Sequence, residues 1–394
     1  MKKFLQKISI VVLLSFIIFF SQNCSAGQMI IGGYWENWLG PLHPQGTDPN
    51  VSEYYSHDLK HFNHVYYSFL TLVQHPNPGN PPDEQWNGIA IYESMTATNV
   101  IAVMTKTDPE WKNPNNWQRK KIVAIIDYCH ANNKKFIWAI GGWSDLKRTI
   151  SDAQIPAFVS NCIDLLKIAG DGIDFDWEHL SEIAEIKEQQ RHVLGKIFPA
   201  LRNAMDENGL SDKLIGYTTR FNAFWGAGVP VPTNVTPFQS DGEGIDINDS
   251  LTNSGSSFAD TVDWANIMMY DVPASNLGAP DNKFILDNYI QVLNYFETYV
   301  PKDKIVMGFE PGGQAAGGEW EGMDVDKQVI DYIKLNYYGG IMFWAVNQPA
   351  SAGTTNVTGD NAQVLAGYAL PEGITGILGV VFVLINRIRR EINY

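Results

Sequence analysis

Cysteine is nearly absent: three occur in 394 residues, and one of them, Cys24, lies in an N-terminal stretch that reads as an export leader. The other two, Cys129 and Cys162, permit one disulfide without requiring it. Both fall inside helical patterns, so free buried thiols are expected. The chain has no Cys-x-x-Cys, no His-Glu-x-x-His and no calcium-loop spacing, and its eight histidines are scattered. Neither a metal nor a cofactor is therefore expected. Charge is also sparse, at 18 % of residues, and positive charge more so: 28 Lys and Arg against 43 Asp and Glu leave a formal net charge of −15. A field of that sign repels phosphate backbones and excludes a nucleic-acid partner, leaving a neutral ligand as the better fit. What the chain has in quantity is aromatic surface, with 12 Trp, 17 Tyr and 19 Phe. That load exceeds what packing alone demands and suggests a surface that stacks flat ligands.

Apolar runs long enough to span a bilayer are missing as well. Ile8 to Phe20 follows Lys2, Lys3 and Lys7 and precedes Cys24-Ser25-Ala26, the order of a cleaved secretory signal over residues 1–26. As a helix it would rise only about 20 Å against about 30 Å of hydrocarbon, which argues against a membrane anchor. Lipidation of Cys24 is the lesser alternative. At the other end Pro371-Glu372-Gly373 leads into apolar Ile374 to Ile385 and then Arg387, Arg389 and Arg390. This resembles the C-terminal sorting tags of bacterial surface proteins, and residues 371–394 are read as such a tail, with possible attachment to a membrane or cell surface. A last amphipathic helix is the plainer alternative, although the stretch is apolar on every face. The expected product is a secreted or cell-surface monomer.

Between these ends, short apolar runs alternate with helical patterns, as in a parallel sheet. Eight strands are expected: Met29 to Tyr34, His64 to Phe69, Phe136 to Ile140, Gly172 to Asp176, Leu214 to Thr219, Asn266 to Tyr270, Ile305 to Phe309 and Gly340 to Ala345. Helices are expected at Trp117 to Ala131, Ile155 to Ala169, Ile183 to Glu207, Asn282 to Tyr299, Asp324 to Tyr337 and Asn361 to Ala369. Residues 27–370 thus spell an α/β fold, a (β/α)8 TIM barrel. Phe221 to Asp263, rich in Gly, Pro, Ser and Asn, reads as a long loop with a short helix near its end. Thr71 to Asn116, carrying Trp86 and Trp111, reads as a second long loop, of a length that is usually functional.

Asp171-Gly172-Ile173-Asp174-Phe175-Asp176-Trp177-Glu178 is the sharpest feature. Side chains alternate along a strand, so Asp174, Asp176 and Glu178 share one face and Ile173, Phe175 and Trp177 the other. In a barrel the acids then point into the lumen. Like charges so close cannot all ionise, and Glu178, at the open end, is placed to hold and donate a proton. An acidic strand end in solvent or a cation-binding cluster is the alternative, but exposed charge has no need of Ile, Phe and Trp interleaved so regularly.

The row is similar to the Asp-x-x-Asp-x-Asp-x-Glu signature of glycoside hydrolase family 18, the chitinases and their relatives. Gly33-Tyr34-Trp35-Glu36-Asn37-Trp38 resembles their first-strand segment, Met268-Met269-Tyr270-Asp271 their Met-x-Tyr-Asp, and Trp344 lies where they keep a tryptophan under the sugar. Two positions depart: Ala139-Ile140-Gly141-Gly142 lacks the serine of Ser-x-Gly-Gly, and His179-Leu180 replaces Tyr-Pro after the row. The resemblance implies a retaining glycosidase acting on β-1,4-linked N-acetylglucosamine polymers, in which the sugar's own acetamido oxygen is the nucleophile. Glu178 would be the acid, Asp176 and Tyr270 would orient the acetamido group, and Asp174 would modulate Asp176. Tyr34, Trp35, Gly142, Trp143, Met268, Asp271 and Trp344 would meet the substrate, with Trp38, Trp225 and Trp320 as further aromatic candidates. Only Glu310 to Met323 separates strand seven from the next helix, too little for an inserted wall domain, so a shallow groove and endo-action are expected. An endo-β-N-acetylglucosaminidase acting on N-glycans and a chitin-binding lectin are the alternatives. Retention of Glu178 speaks against the lectin, and Trp177 after Asp176 is more chitinase-like than glycan-specific.

Overall fold

The structure is a computed structural model that describes residues 29–73, 88–92, 100–102, 114–115, 117–143, 150–178, 184–226, 242–272, 283–351 and 355–370. The expected leader and C-terminal tail lie outside the described residues, as do Trp86, Trp111, His179 and Leu180. The strands are β1 (Ile30–Glu36), β2 (His64–Val73), β3 (Gly88–Tyr92), β4 (Val100–Ala102), β5 (Lys135–Gly141), β6 (Gly172–Asp176), β7 (Leu214–Arg220), β8 (Trp264–Met268), β9 (Ile305–Phe309) and β10 (Gly340–Phe343). Eight of them pair in parallel in the order β1, β2, β5, β6, β7, β8, β9, β10, and β10 returns to β1 to close a barrel. The helices are α1 (Trp117–Ala131), α2 (Ile155–Ile168), α3 (Ala184–Glu207), α4 (Glu243–Asn253), α5 (Leu286–Glu297), α6 (Met323–Leu335) and α7 (Thr358–Ala369), with short helical turns at Ser52–Tyr55, Asp152–Gln154, Phe258–Thr261 and Lys302–Lys304. None of the described helices is long and apolar enough to cross a membrane.

Strand alternation divides the interior into two cores. Trp35 on β1 and Ile173 and Phe175 on β6 face outward into the layer shared with the helices. Tyr34, Tyr66, Ile137, Ala139, Trp264, Val306 and Met342 face inward and fill the lumen. The barrel centre is packed solid, so ligand access is left to the end where the strands finish. Both remaining cysteines are free and buried, and burial pushes the Cys129 thiol up to about 12.

The loop after strand two holds more structure than expected, and the short helix expected near the end of Phe221 to Asp263 is present. β2 runs on past the barrel and pairs antiparallel with β3, which pairs antiparallel with β4, so part of the loop after strand two is a sheet extension at the open end. The segment Phe221 to Asp263 contains the eleven-residue helix α4. Its sequence, EGIDINDSLTN, has poor intrinsic helix propensity. It forms because Ile247 and Leu251, one turn apart, bury completely against the barrel shell, and tertiary packing outweighs propensity in such helices.

Candidate active site

The acid row enters the lumen from β6 at graded depth. Asp174 is fully buried and its carboxylate accepts hydrogen bonds from Tyr34 Oη at 2.7 Å, Thr218 Oγ1 at 2.8 Å and Trp264 Nε1 at 2.9 Å. Gly216 makes this possible, because a Cβ there would lie 2.2 Å from both Asp174 Oδ1 and Trp264 Nε1. Burial raises Asp174 to about 6 in spite of those three donors. Asp176 sits one inward position higher. Burial first, then the charges of Glu178 and Asp174, push its carboxyl well above the usual range, while Arg220 pulls the other way. Its Oδ1 is buried and has no hydrogen-bond partner among the described residues.

Glu178 ends the row in the cavity mouth, where Arg220 Nη2 donates to its Oε2 at 2.5 Å. Three acids so close cannot all ionise, and Arg220, the last residue of β7, sets its positive charge against the outermost of them. Its guanidinium also lies 5.8 Å from the ring of Trp143. Behind it Glu243, buried at the start of α4, is raised to about 8 by desolvation against the opposing fields of Arg191 and Arg220. Arg191 in turn pairs with Asp246. A line of ionisable groups thus runs from Glu178 at the barrel mouth through Arg220, Glu243 and Arg191 to Asp246 in the α3–α4 layer.

Above Asp176 opens a cavity of about 610 Å³, lined by Glu36, Trp38, Phe69, Trp143, Asp176, Glu178, Arg220, Met268, Tyr270, Asp271, Ala315, Ala316, Trp344 and Gln348. One wall is aromatic: Trp344 stacks on Phe69 with ring centroids 5.4 Å apart and 16° between planes, and Phe69 stacks on Trp38 at 6.1 Å. The other side carries polar groups. Burial and the charges of Asp176 and Asp271 keep Tyr270 a neutral phenol, its acid constant pushed well above the ordinary value. Asp271, in a left-handed conformation at φ 63°, accepts the Ala316 N–H at 2.8 Å and donates its own N–H to Gln314 Oε1 at 2.9 Å. Glu310 beside it is pushed up to about 10 by burial and the Asp271 charge. Among the described residues no cluster of His, Cys, Asp and Glu is arranged to hold a metal ion.

Of the residues singled out in the sequence, Asp176, Glu178, Trp143, Met268, Tyr270, Asp271, Trp344 and Trp38 converge on this cavity. Others stand elsewhere. Tyr34 lies below the floor as a donor to Asp174, stacked on Tyr66 at 4.6 Å. Trp35 points outward and packs edge-on against Tyr55 at 5.4 Å, since neighbouring residues on a strand take opposite faces. Gly142 acts through its backbone: its N–H donates to the Asp176 carbonyl at 2.9 Å, and Phe69 covers the place a side chain would take. Trp225 is buried against Phe221 in the outer core, and Trp320 donates to Asp326 at 2.9 Å. Phe69, Arg220, Glu243 and Gln348 escaped the sequence reading. Arg220 carried the one available signal, a cation at the C-terminal end of a barrel strand.

The family model for Glycosyl hydrolases family 18 matches residues 30–324. Among solved structures, a GH18 chitinase from Pseudoalteromonas aurantia superposes with a TM-score of 0.50 at 17% identity, covering 86% of this chain and 99% of that one. A class V chitinase from Nicotiana tobaccum, solved in complex with NAG4, gives 0.51 at 15% identity over 87% and 99%. A cell-surface-expressed, multi-modular chitinase from Paenibacillus sp. str. FPU-7 gives 0.54 at 16% identity over 87% of this chain and 43% of that one. At such identities the likeness concerns the fold. No curated protein matches the chain.

Proposed function

The chain belongs to glycosyl hydrolases family 18, and from that premise we propose that it hydrolyses β-1,4 linkages between N-acetylglucosamine residues with retention of configuration, assisted by the substrate's acetamido group. The observation that carries this reading is the convergence of Asp176, Glu178 and Tyr270 in one cavity opposite a stacked aromatic wall that includes Trp344. A pyranose has apolar C–H faces that suit such a wall. With the sugar there, Tyr270 donates to the acetamido oxygen and Asp176 accepts from the acetamido N–H. As the acetamido oxygen bonds to the anomeric carbon and the C–O bond breaks, Glu178 passes its proton to the departing oxygen. Water then attacks the same carbon, returns a proton to Glu178 and reopens the ring formed by the acetamido group. Two displacements at one carbon, from opposite faces, each invert it and together restore the starting configuration. For Glu178 to begin as an acid, the proton held by Asp176 must reach it and the Arg220 pair must loosen. Ligand occupancy of the cavity would favour both.

The test compares the wild-type protein and Glu178→Gln on N-acetylglucosamine hexamers and on a high-mannose glycoprotein. Loss of the general acid is expected to lower turnover of the hexamer by about 10²–10⁴-fold, with the β-anomer as first product by NMR. Equal rates in both proteins would remove Glu178 from the role, and cleavage of the glycoprotein alone would transfer the activity to N-glycans. Endo-action fits the short Glu310 to Met323 connection and predicts internal products from the hexamer before disaccharide accumulates. Residues 1–26 are read as an export signal and 371–394 as a surface-attachment tail. Mass spectrometry of the exported protein should find Gly27 at the mature N-terminus, and an intact Met1 would refute this.

A further inference from the structure

Glu36 lines the same cavity, yet nothing in the mechanism above uses it. It occupies the inward position one step above Tyr34 at the end of β1, and is 6% exposed. Its Oε2 is buried and, among the described residues, has no hydrogen-bond partner. Burial raises its carboxyl to about 7. The backbone at this point is held firmly: the Asn347 side chain accepts the Glu36 N–H at 2.9 Å and donates to the Glu36 carbonyl at 3.0 Å. Asn347 is itself buried. The strand end is therefore pinned on both sides by one amide, and from it the side chain reaches a cavity that Trp38 and Trp344 also line. A buried acid without a partner is costly, and an apolar residue of similar size would be cheaper for folding alone. Its partner is best sought in a ligand that brings donors into an aromatic-walled cavity. A sugar ring does this, since its hydroxyls project from the edge while its faces stack.

We propose that Glu36 is a sugar-binding residue of the cleft, accepting hydrogen bonds from ring hydroxyls of the pyranose that stacks on the Trp38, Phe69 and Trp344 wall. The assignment rests on the reading of the cleft as a site for N-acetylglucosamine chains. Gln348, the other polar side chain at this wall, is already engaged, donating to Glu310 at 3.1 Å and accepting from the Ala345 N–H at 3.2 Å. Two hydroxyl donors on one carboxylate also favour its ionised form, so the bound sugar offsets the penalty that burial imposes on the empty site.

The experiment titrates the N-acetylglucosamine tetramer by calorimetry into Glu178→Gln, in which turnover is suppressed, and into the same protein carrying Glu36→Gln or Glu36→Leu, with thermal midpoints measured for all three. Glu36→Leu is expected to weaken binding by about tenfold or more, and Glu36→Gln, which keeps an acceptor, by no more than about threefold. The midpoint of Glu36→Leu should equal or exceed that of its parent, because an unpartnered buried acid has been removed. Parent-like affinity in Glu36→Leu overturns the Glu36 assignment while leaving the proposed function intact. Weaker binding accompanied by a lower midpoint also overturns it, in favour of a structural role. Absence of tetramer binding in the Glu178→Gln parent overturns the reading of the cleft, and this assignment with it.

Discussion

Asp174 shows how a single residue can serve both folding and chemistry. Its carboxylate is the common acceptor for Tyr34, Thr218 and Trp264, so truncation to Ala orphans three buried donors, at about 1–3 kcal/mol for each that finds no substitute. Asp174→Asn keeps one oxygen, and the two hydroxyls can turn to accept from the new amide. Asp174→Ala is accordingly expected to lower the denaturant midpoint far more than Asp174→Asn. The Asn variant also removes one of the charges that raise Asp176. With that charge gone the Asp176 carboxyl moves down toward the ordinary range and gives up its proton at lower pH. If that proton feeds Glu178, the alkaline limb of the pH–rate profile of Asp174→Asn shifts to lower pH, and an unmoved limb would separate Asp174 from the chemistry. Alternation along β6 made the acids' shared face legible in the sequence, because a period of two needs no tertiary information. The ion pair of Glu178 with Arg220 was not legible, since it joins the segment just past β6 to the end of β7, forty-two positions apart, and no local pattern encodes such a meeting.

At the scale of elements, α3 and α4 are joined by an absence. Gly195, midway along α3, faces α4 so closely that a Cβ would stand 2.4 Å from the Cβ of Ser250 and 2.6 Å from the carbonyl oxygen of Ile247. Backbone cannot yield there as a flexible side chain would, and Gly195→Val should cost about 1–3 kcal/mol through overpacking. A melting midpoint equal to that of the wild type would show that the two helices slide apart freely. Because α4 carries Glu243 behind Arg220, the same substitution is expected to reduce activity by more than the fraction of protein unfolded explains. Strands and most helices were readable from apolar spacing, with limits that differ from the observed ones by a few residues; β8, for instance, starts at Trp264 rather than Asn266. The helix α4 was readable only as a short helix near the end of the Phe221 to Asp263 segment, without limits, because its Asp, Asn, Ser and Thr residues favour loop. The signal that would have set those limits is the pair Ile247 and Leu251 at helical spacing.

Across the whole molecule, burying carboxyls sets an unusual dependence of stability on pH. Glu36, Glu243 and Glu310 are raised to about 7, 8 and 10, and Asp176 well above its ordinary range, all chiefly by desolvation. In the unfolded chain such groups ionise near pH 4. The folded state therefore holds protons that the unfolded state has released, and stability present in acid is lost as pH rises through the folded values. His64 acts in the opposite direction: burial lowers it to about 4, so its contribution grows with pH, but only until the unfolded imidazole is neutral near pH 6.5. Above that point the acids act without it. Net charge of −15 adds a repulsion of the same sign at higher pH, and a single-residue control separates the two effects. Between pH 6.5 and 8 the wild-type protein should lose stability as pH rises, with Glu243 contributing up to about 1.4 kcal/mol per pH unit. Glu243→Gln keeps the shape and nearly the whole net charge but has no proton to release, so its stability should fall less steeply over that interval. Urea titrations at each pH measure the two slopes directly. Parallel slopes would mean that Glu243 is ionised in the folded protein, and the line from Glu178 through Arg220 to Glu243 would then end on a buried anion instead of a neutral carboxyl.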